Sequence, residues 1–164
     1  MKSETLLIFL RDSRENTGRM AGLRCLLRPS QRMRGWMALG QLPGAIGDRI
    51  VETVAGLYAM HPLESTDENY GFGSACRRLA RLRGNSDDSS PLDTRFRRLL
   101  ACTREDLLSH LLEMMMGLKS ADIPVNYGAL YTDLQYWSDR VRERWAIQYW
   151  TSPTTPDEDD HVSD

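Results

Sequence analysis

Across residues 93–150, leucine, methionine, valine and tryptophan recur every three or four positions, and that period points to helix. Leu99, Leu100, Leu107, Leu108, Leu111, Leu112, Met115 and Leu118 mark one stripe, and Leu130, Leu134, Trp137, Val141 and Trp145 a second. Arg95, Arg97, Arg98, Arg104, Arg140, Arg142 and Arg144 sit between and beside these stripes. Two long amphipathic helices studded with arginine are the part around which the rest of the chain is arranged.

The same period returns upstream. Residues 3–14 predict a first helix with Leu6, Phe9 and Leu10 inward. Asn16-Thr17-Gly18 breaks it, and Thr17 is placed to cap a second helix through Leu27. There Met20, Leu23 and Leu27 share one face, while Arg24 and Arg28 lie four apart on another. Pro29-Ser30 leads into a short helix carrying Met33, Trp36 and Met37. Pro43-Gly44 opens a helix over 45–60, in which Ile46, Ile50, Val54, Leu57 and Tyr58 keep a helical period and Asp48 and Glu52 face solvent. His61-Pro62 ends it, and an acidic loop, expected to be mobile, runs to Gly71. Gly73-Ser74 enters a helix to Arg83, with Leu79 and Leu82 inward and Arg77, Arg78 and Arg81 projecting. GNSDDSS over 84–90 is a connector by composition. Proline opens the next helix, 91–102, where a first turn tolerates it. Thr103-Arg104-Glu105-Asp106 resembles a capping box and starts a helix to about Lys119. Pro124 anchors a turn, and the final helix is expected to run unbroken from Tyr127 or Gly128 to Trp150. No alternating run is long enough to compete. The expectation is an all-α, two-lobed helical bundle of about seven to nine helices. Its lobes span approximately 1–90 and 91–150, with a disordered acidic tail over 151–164.

The formal net charge of -2 averages two unlike regions. Asp157, Glu158, Asp159, Asp160 and Asp164 crowd into the tail, which has no Lys or Arg. Setting those five aside leaves 21 basic against 18 acidic residues, a net of +3 over 1–152. Two segments carry the excess. Arg19, Arg24, Arg28, Arg32 and Arg34 follow one another without an acid, and residues 70–104 hold eight arginines against Asp87, Asp88 and Asp93. Only Lys2 and Lys119 are lysines. Arginine's planar fork suits phosphate and stacked bases, although a GC-rich genome yields the same bias with no function.

Catalytic and metal patterns are missing from the sequence. His61, His110 and His161 are scattered, and no HExxH or CxxC spacing supports zinc. His110 with Glu113 makes at most a two-ligand pair, and a surface histidine accounts for it. GxGxxG and GxxxxGK[ST] are absent. Gly71-Phe72-Gly73 is explained as well by a hinge as by a loop for phosphate. Glu105-Asp106 reads as charge at a helix start rather than an acid/base dyad. Met114-Met115-Met116 reads as adaptable core or interface filler. Cys25, Cys76 and Cys102 are odd in number and read as free thiols in a reducing compartment. Thr5 to Leu10 is too short to span a membrane and lacks a cleavage site, so the expected location is cytoplasmic. No cofactor is expected. What remains is nucleic-acid binding by helix faces, with a protein–protein adaptor that makes no nucleic-acid contact as the alternative.

Four stretches carry a resemblance: TGRMAGLRCLLR (17–28), GSACRRLARL (73–82), RFRRLLACTREDLLSHL (95–111) and YTDLQYWSDRVRERWAIQYW (131–150). In order and separation they resemble the CasB family, the small subunit of the type I-E CRISPR surveillance complex, Cascade. The resemblance implies a non-enzymatic, all-α protein of two helical lobes, present as two head-to-tail copies. It implies a basic surface holding the guide RNA–target DNA hybrid and the displaced single strand, and contacts with other Cascade subunits. The family's basic residues fall near Arg24, Arg77, Arg95, Arg104, Arg140 and Arg142; helical geometry adds Arg28, Arg81, Arg98 and Arg144. The acidic tail departs from the family pattern.

Overall fold

In the computed structural model, residues 1–84 and 90–151 are described. They form α1 (Ser3–Ser13), α2 (Thr17–Cys25), a 3-10 turn (Pro29–Gln31), α3 (Arg32–Leu39), α4 (Arg49–Met60) and α5 (Phe72–Leu82). After residues 85–89 come α6 (Pro91–Ala101), α7 (Arg104–Ser120), α8 (Tyr127–Gln135) and α9 (Asp139–Trp150). No strand occurs among the described residues, where one isolated bridge joins Glu64 to Val125. The expected acidic tail lies outside the described residues beyond Thr151, as does His161.

Four of the helices start where a side chain accepts an orphan backbone N–H. Asn16 accepts from Arg19 N at 2.9 Å, so the cap of α2 lies one residue before the Thr17 expected. Asp48 accepts from Ile50 and Val51 N, and α4 therefore begins at Arg49 rather than Ala45. Ser90 caps α6 and Asn126 caps α8 in the same way. Thr103 does start α7, but its hydroxyl donates to Asp106 Oδ2 at 3.2 Å instead of closing a capping box. The other end of α7 is closed by paired bonds, Ile123 N to Leu118 O and Asp122 N to Lys119 O. Asp122 takes the left-handed position there, at φ 53°.

Buried residues form one continuous core. α2 lies on α3 and α4, and α1 and α8 also pack against α4. α5 packs on α9 and α7, and α6 on α7, while α7 also touches α4. The centre holds Tyr127, whose hydroxyl donates to the His61 carbonyl and whose ring meets Tyr58 edge-on at 5.1 Å. Burial pushes its phenol well above the usual range. His61 is buried with Nε2 2.6 Å from Ile123 O.

Four further expectations are corrected. The final helix is broken at residues 136–138: α8 ends, Trp137 packs on Trp145 at 5.0 Å, and α9 starts after Ser138. The apolar stripe hides this break because Leu134, Trp137 and Val141 keep their phase across it. Glu52 does not face solvent; it is 2% exposed and ringed by donors. Leu82 does not point inward but is 68% exposed, as the last residue of α5. The loop from His61 to Gly71, expected to be mobile, is tied at several points. Glu64 pairs with Arg11, Asn126 Nδ2 donates to Asp67 O, and Tyr70 OH donates to Pro124 O at 2.8 Å.

Candidate nucleic-acid interface

α5 lies close against α9 because two glycines let it. A Cβ on Gly73 would come 2.4 Å from Trp145 O, and one on Gly71 would strike the Gln148 side chain. Gly73 N donates instead to Gln148 Oε1 at 3.2 Å, and Phe72 packs on Trp145. The Gly-Phe-Gly run is thus a helix-packing device. Along this seam Arg77 donates through Nη1 to Tyr149 O at 3.0 Å, meeting a carbonyl in the last turn of α9. Arg78 lies over the Tyr70 ring, 5.8 Å from its centroid. Arg77, Arg78 and Arg81 line an open groove with Tyr70, Ile147 and Gln148.

α9 extends that surface. Arg140, Arg144, Ile147 and Thr151 fall at i, i+4, i+7 and i+11, one stripe about 16 Å long at 1.5 Å per residue. The stripe's arginines differ in what holds them. Arg144 donates to Asp133 Oδ1 at 2.8 Å, and Trp145 Nε1 donates to Oδ2 of the same buried carboxylate. Burial pushes Asp133 upward; the bonds from Trp145 and Arg144 pull against it, and the net direction is above the usual carboxylate value. Arg142 pairs with Asp139 at 3.0 Å and lies over the Trp137 ring. Arg140 is exposed.

α6 presents Arg95 and Arg98 to solvent, whereas Arg97 pairs with Asp93 at 2.8 Å. Asp93 also accepts from Trp150 Nε1, which ties the end of α9 to α6. Beneath them Phe96 stacks on Tyr149 at 4.0 Å, and burial pushes the Tyr149 phenol up to about 12. Arg104 reaches Leu134 O at the end of α8, at 3.4 Å. Arg24 reaches Ala59 O near the end of α4 at the same distance, and Arg28 is exposed on the chain just past α2.

The structure therefore brings Arg77 and Arg81 into one groove and aligns Arg140 with Arg144 on one helix stripe. Arg24 and Arg28 do not line that groove. Among the described residues Arg28, Arg81, Arg95, Arg98 and Arg140 make no ion pair with a carboxylate. Arg78 belongs beside Arg77 in the groove although the resemblance did not single it out. Its signal was adjacency in a run with Tyr70 just upstream. A second groove, between α2 and α3, is lined by Arg19, Arg34 and the exposed Met37. Among the described residues no helix is long and apolar enough to cross a membrane.

A family model described as CRISPR-associated protein Cse2 matches residues 24–150. The chain belongs to the Cse2 family. Cse2, or CasB, is the small subunit of type I-E Cascade, the family that the four sequence stretches resemble. Among solved structures, the Cse2-family protein from Thermus thermophilus superposes with a TM-score of 0.73 at 21% identity, over 93% of this chain and 100% of that one. CasB from M. ruber superposes with a TM-score of 0.70 at 24% identity, over 92% and 93%. No curated protein sequence matches the chain significantly. The all-α bundle expected from periodicity is thus the Cse2 helical fold.

Proposed function

We propose that this Cse2 chain is a non-catalytic Cascade subunit, working in the cytoplasm, that steadies the guide RNA–target DNA hybrid and the displaced single strand. The observation that carries the reading is the set of exposed arginines that have no carboxylate partner among the described residues: Arg81, Arg95, Arg98 and Arg140, with Arg28 on α2's side. Arg24, Arg77, Arg104, Arg142 and Arg144 add charge from positions held by carbonyls or carboxylates. Such contacts grip a phosphate backbone without reading bases, which suits a strand whose sequence changes with every target. Replacing a DNA duplex by a hybrid is nearly balanced in energy, so modest backbone contacts tip it. The other Cascade subunits and a second, head-to-tail copy of the chain are the protein partners in this reading.

Fluorescence anisotropy with oligo-dT across a NaCl series tests it. Changing Arg81, Arg95, Arg98 and Arg140 together to alanine should reduce the salt slope by about 3, at about 0.7 per phosphate contact on a single strand. An unchanged slope, with helical circular dichroism intact, refutes the reading. The adaptor alternative draws on Met33 and Met37, one turn apart on α3 and 72% and 86% exposed. It requires salt-insensitive partner binding and no nucleic acid co-purifying.

A further inference from the structure

The described chain ends inside the groove between α5 and α9: Thr151 lines it beside Ile147 and Gln148. Beyond it, residues 152–164 carry Asp157, Glu158, Asp159, Asp160 and Asp164 and no Lys or Arg. Across the groove stand Arg77, Arg78 and Arg81, and Asp67 is the single acid among its described lining residues. We propose that this acidic segment docks in the groove from which it emerges and takes the place of a phosphate backbone there.

Reach is no obstacle. At about 3.3–3.6 Å per residue, Asp157 to Asp160 can lie anywhere within about 20–30 Å of Thr151. Arg77 and Arg81 are one turn apart, about 6 Å along α5. Charges of opposite sign therefore fall within the ~8 Å screening length of physiological salt. The short tether holds the segment at an effective concentration of about 1 mM, so even a weak contact is populated. The groove is also prepared for it. Arg78 is already laid over Tyr70, and Ile147, 60% exposed, offers apolar surface to Pro153 or Pro156. Five carboxylates along one backbone offer the arginines a row of negative charge, as a single strand does, without leaving the molecule.

Docking stands on the geometry and charge of this chain; the competition rests on the nucleic-acid reading above. Both are measured on the full-length chain and on a full-length variant carrying Asp157→Asn, Glu158→Gln, Asp159→Asn and Asp160→Asn. Amide NMR shifts between the two should differ mainly at Ser74, Arg77, Arg78, Arg81, Ile147 and Gln148, and the differences should collapse near 0.5 M NaCl, where screening is roughly twice as short-ranged. Oligo-dT binding at low salt should tighten about two- to tenfold on neutralising the segment, the factor by which the free groove is under-populated. Arg78→Gln with Arg81→Gln in either chain should erase both effects. Shift differences that are absent, or that fall on α2 and α3, overturn the docking. Equal affinity of the two chains for oligo-dT overturns the competition. If neither chain binds oligo-dT while the groove shifts persist, docking holds and the nucleic-acid reading fails.

Discussion

Glu52 shows how much one buried carboxylate contributes here. It is 2% exposed, and Arg32 donates to it through Nε at 2.6 Å and Nη2 at 3.2 Å. Trp36 Nε1 at 2.8 Å and Gly47 N at 2.9 Å complete the ring. The side chain on α4 thus holds α3 and the turn before α4 together. Glu52→Ala leaves four N–H donors, two of them from Arg32, without their acceptor. Removing one partner of a buried pair costs about 3–5 kcal/mol. The Arg32 side chain is 27% exposed and rehydrates in part, which puts the cost near the lower end, about 3 kcal/mol. At about 2–4 °C per kcal/mol for a chain of this size, Tm should fall by about 6–12 °C. Acid should remove the difference. Burial pushes Glu52 upward, but the bonds from Arg32, Gly47 and Trp36 outweigh it, and the carboxyl ends below its usual value. A depressed folded-state pKa gives stability that is complete above the unfolded value and lost as pH falls through the folded one. Thermal melts followed by circular dichroism from pH 7 toward pH 3 should show wild type and Glu52→Gln converging in acid. A Tm for Glu52→Ala within about 2 °C of wild type at pH 7, or a gap that widens on acidification, refutes the reasoning.

Asp133 titrates in the opposite sense. Its folded-state value is raised, so its contribution weakens as pH rises from the ordinary carboxylate value through the raised one. Asp133→Asn should flatten that part of the stability profile and release Arg144 for a phosphate, steepening the salt dependence of oligo-dT binding by about 0.7. An unchanged salt slope counts against an available Arg144. Gly73→Ala sets a Cβ against Trp145 O, a backbone atom, so α5 must move off α9. A loss of about 1–3 kcal/mol in urea unfolding is expected, and a variant as stable as wild type contradicts the close approach.

The apolar period reached most of the helices because it runs along them. The caps were less legible: Asn16, Asp48, Ser90 and Asn126 cap with their side chains, whereas the sequence points to Thr17 and reads Asp48 as solvent-facing. Leu6, Leu10, Leu23, Val54, Leu57, Leu79, Leu99 and Leu111 are all buried at positions that the period marks. Where the rules failed, a distant residue had intervened. Glu52 looks like solvent-facing charge until Arg32 and Trp36, 20 and 16 residues away, are folded onto it. The break between α8 and α9 is invisible to a period that continues across it; the usable signal was Ser138-Asp139, a cap residue followed by an acid in a first turn. Among the site residues, the α5 arginines were legible as a run. The groove they line was not, since it depends on which helix Gly71 and Gly73 allow to approach.

The arginines divide by what lies at the ends of helices. Arg24, Arg77 and Arg104 each reach a carbonyl in or near the closing turn of another helix, where the macrodipole favours a cation. Arg97 and Arg144 each hold a buried carboxylate that a tryptophan indole also grips, Trp150 on Asp93 and Trp145 on Asp133. These side chains join helices first and add positive potential second. Their alanine variants therefore confound lost folding with lost binding. Arg81, Arg95, Arg98 and Arg140 carry no such duty among the described residues, and they lie on α5, α6 and α9, helices bound into one packing group through α5. A binding defect confined to variants of those four, with Tm unchanged, separates a phosphate-gripping surface from a fold held together by arginine.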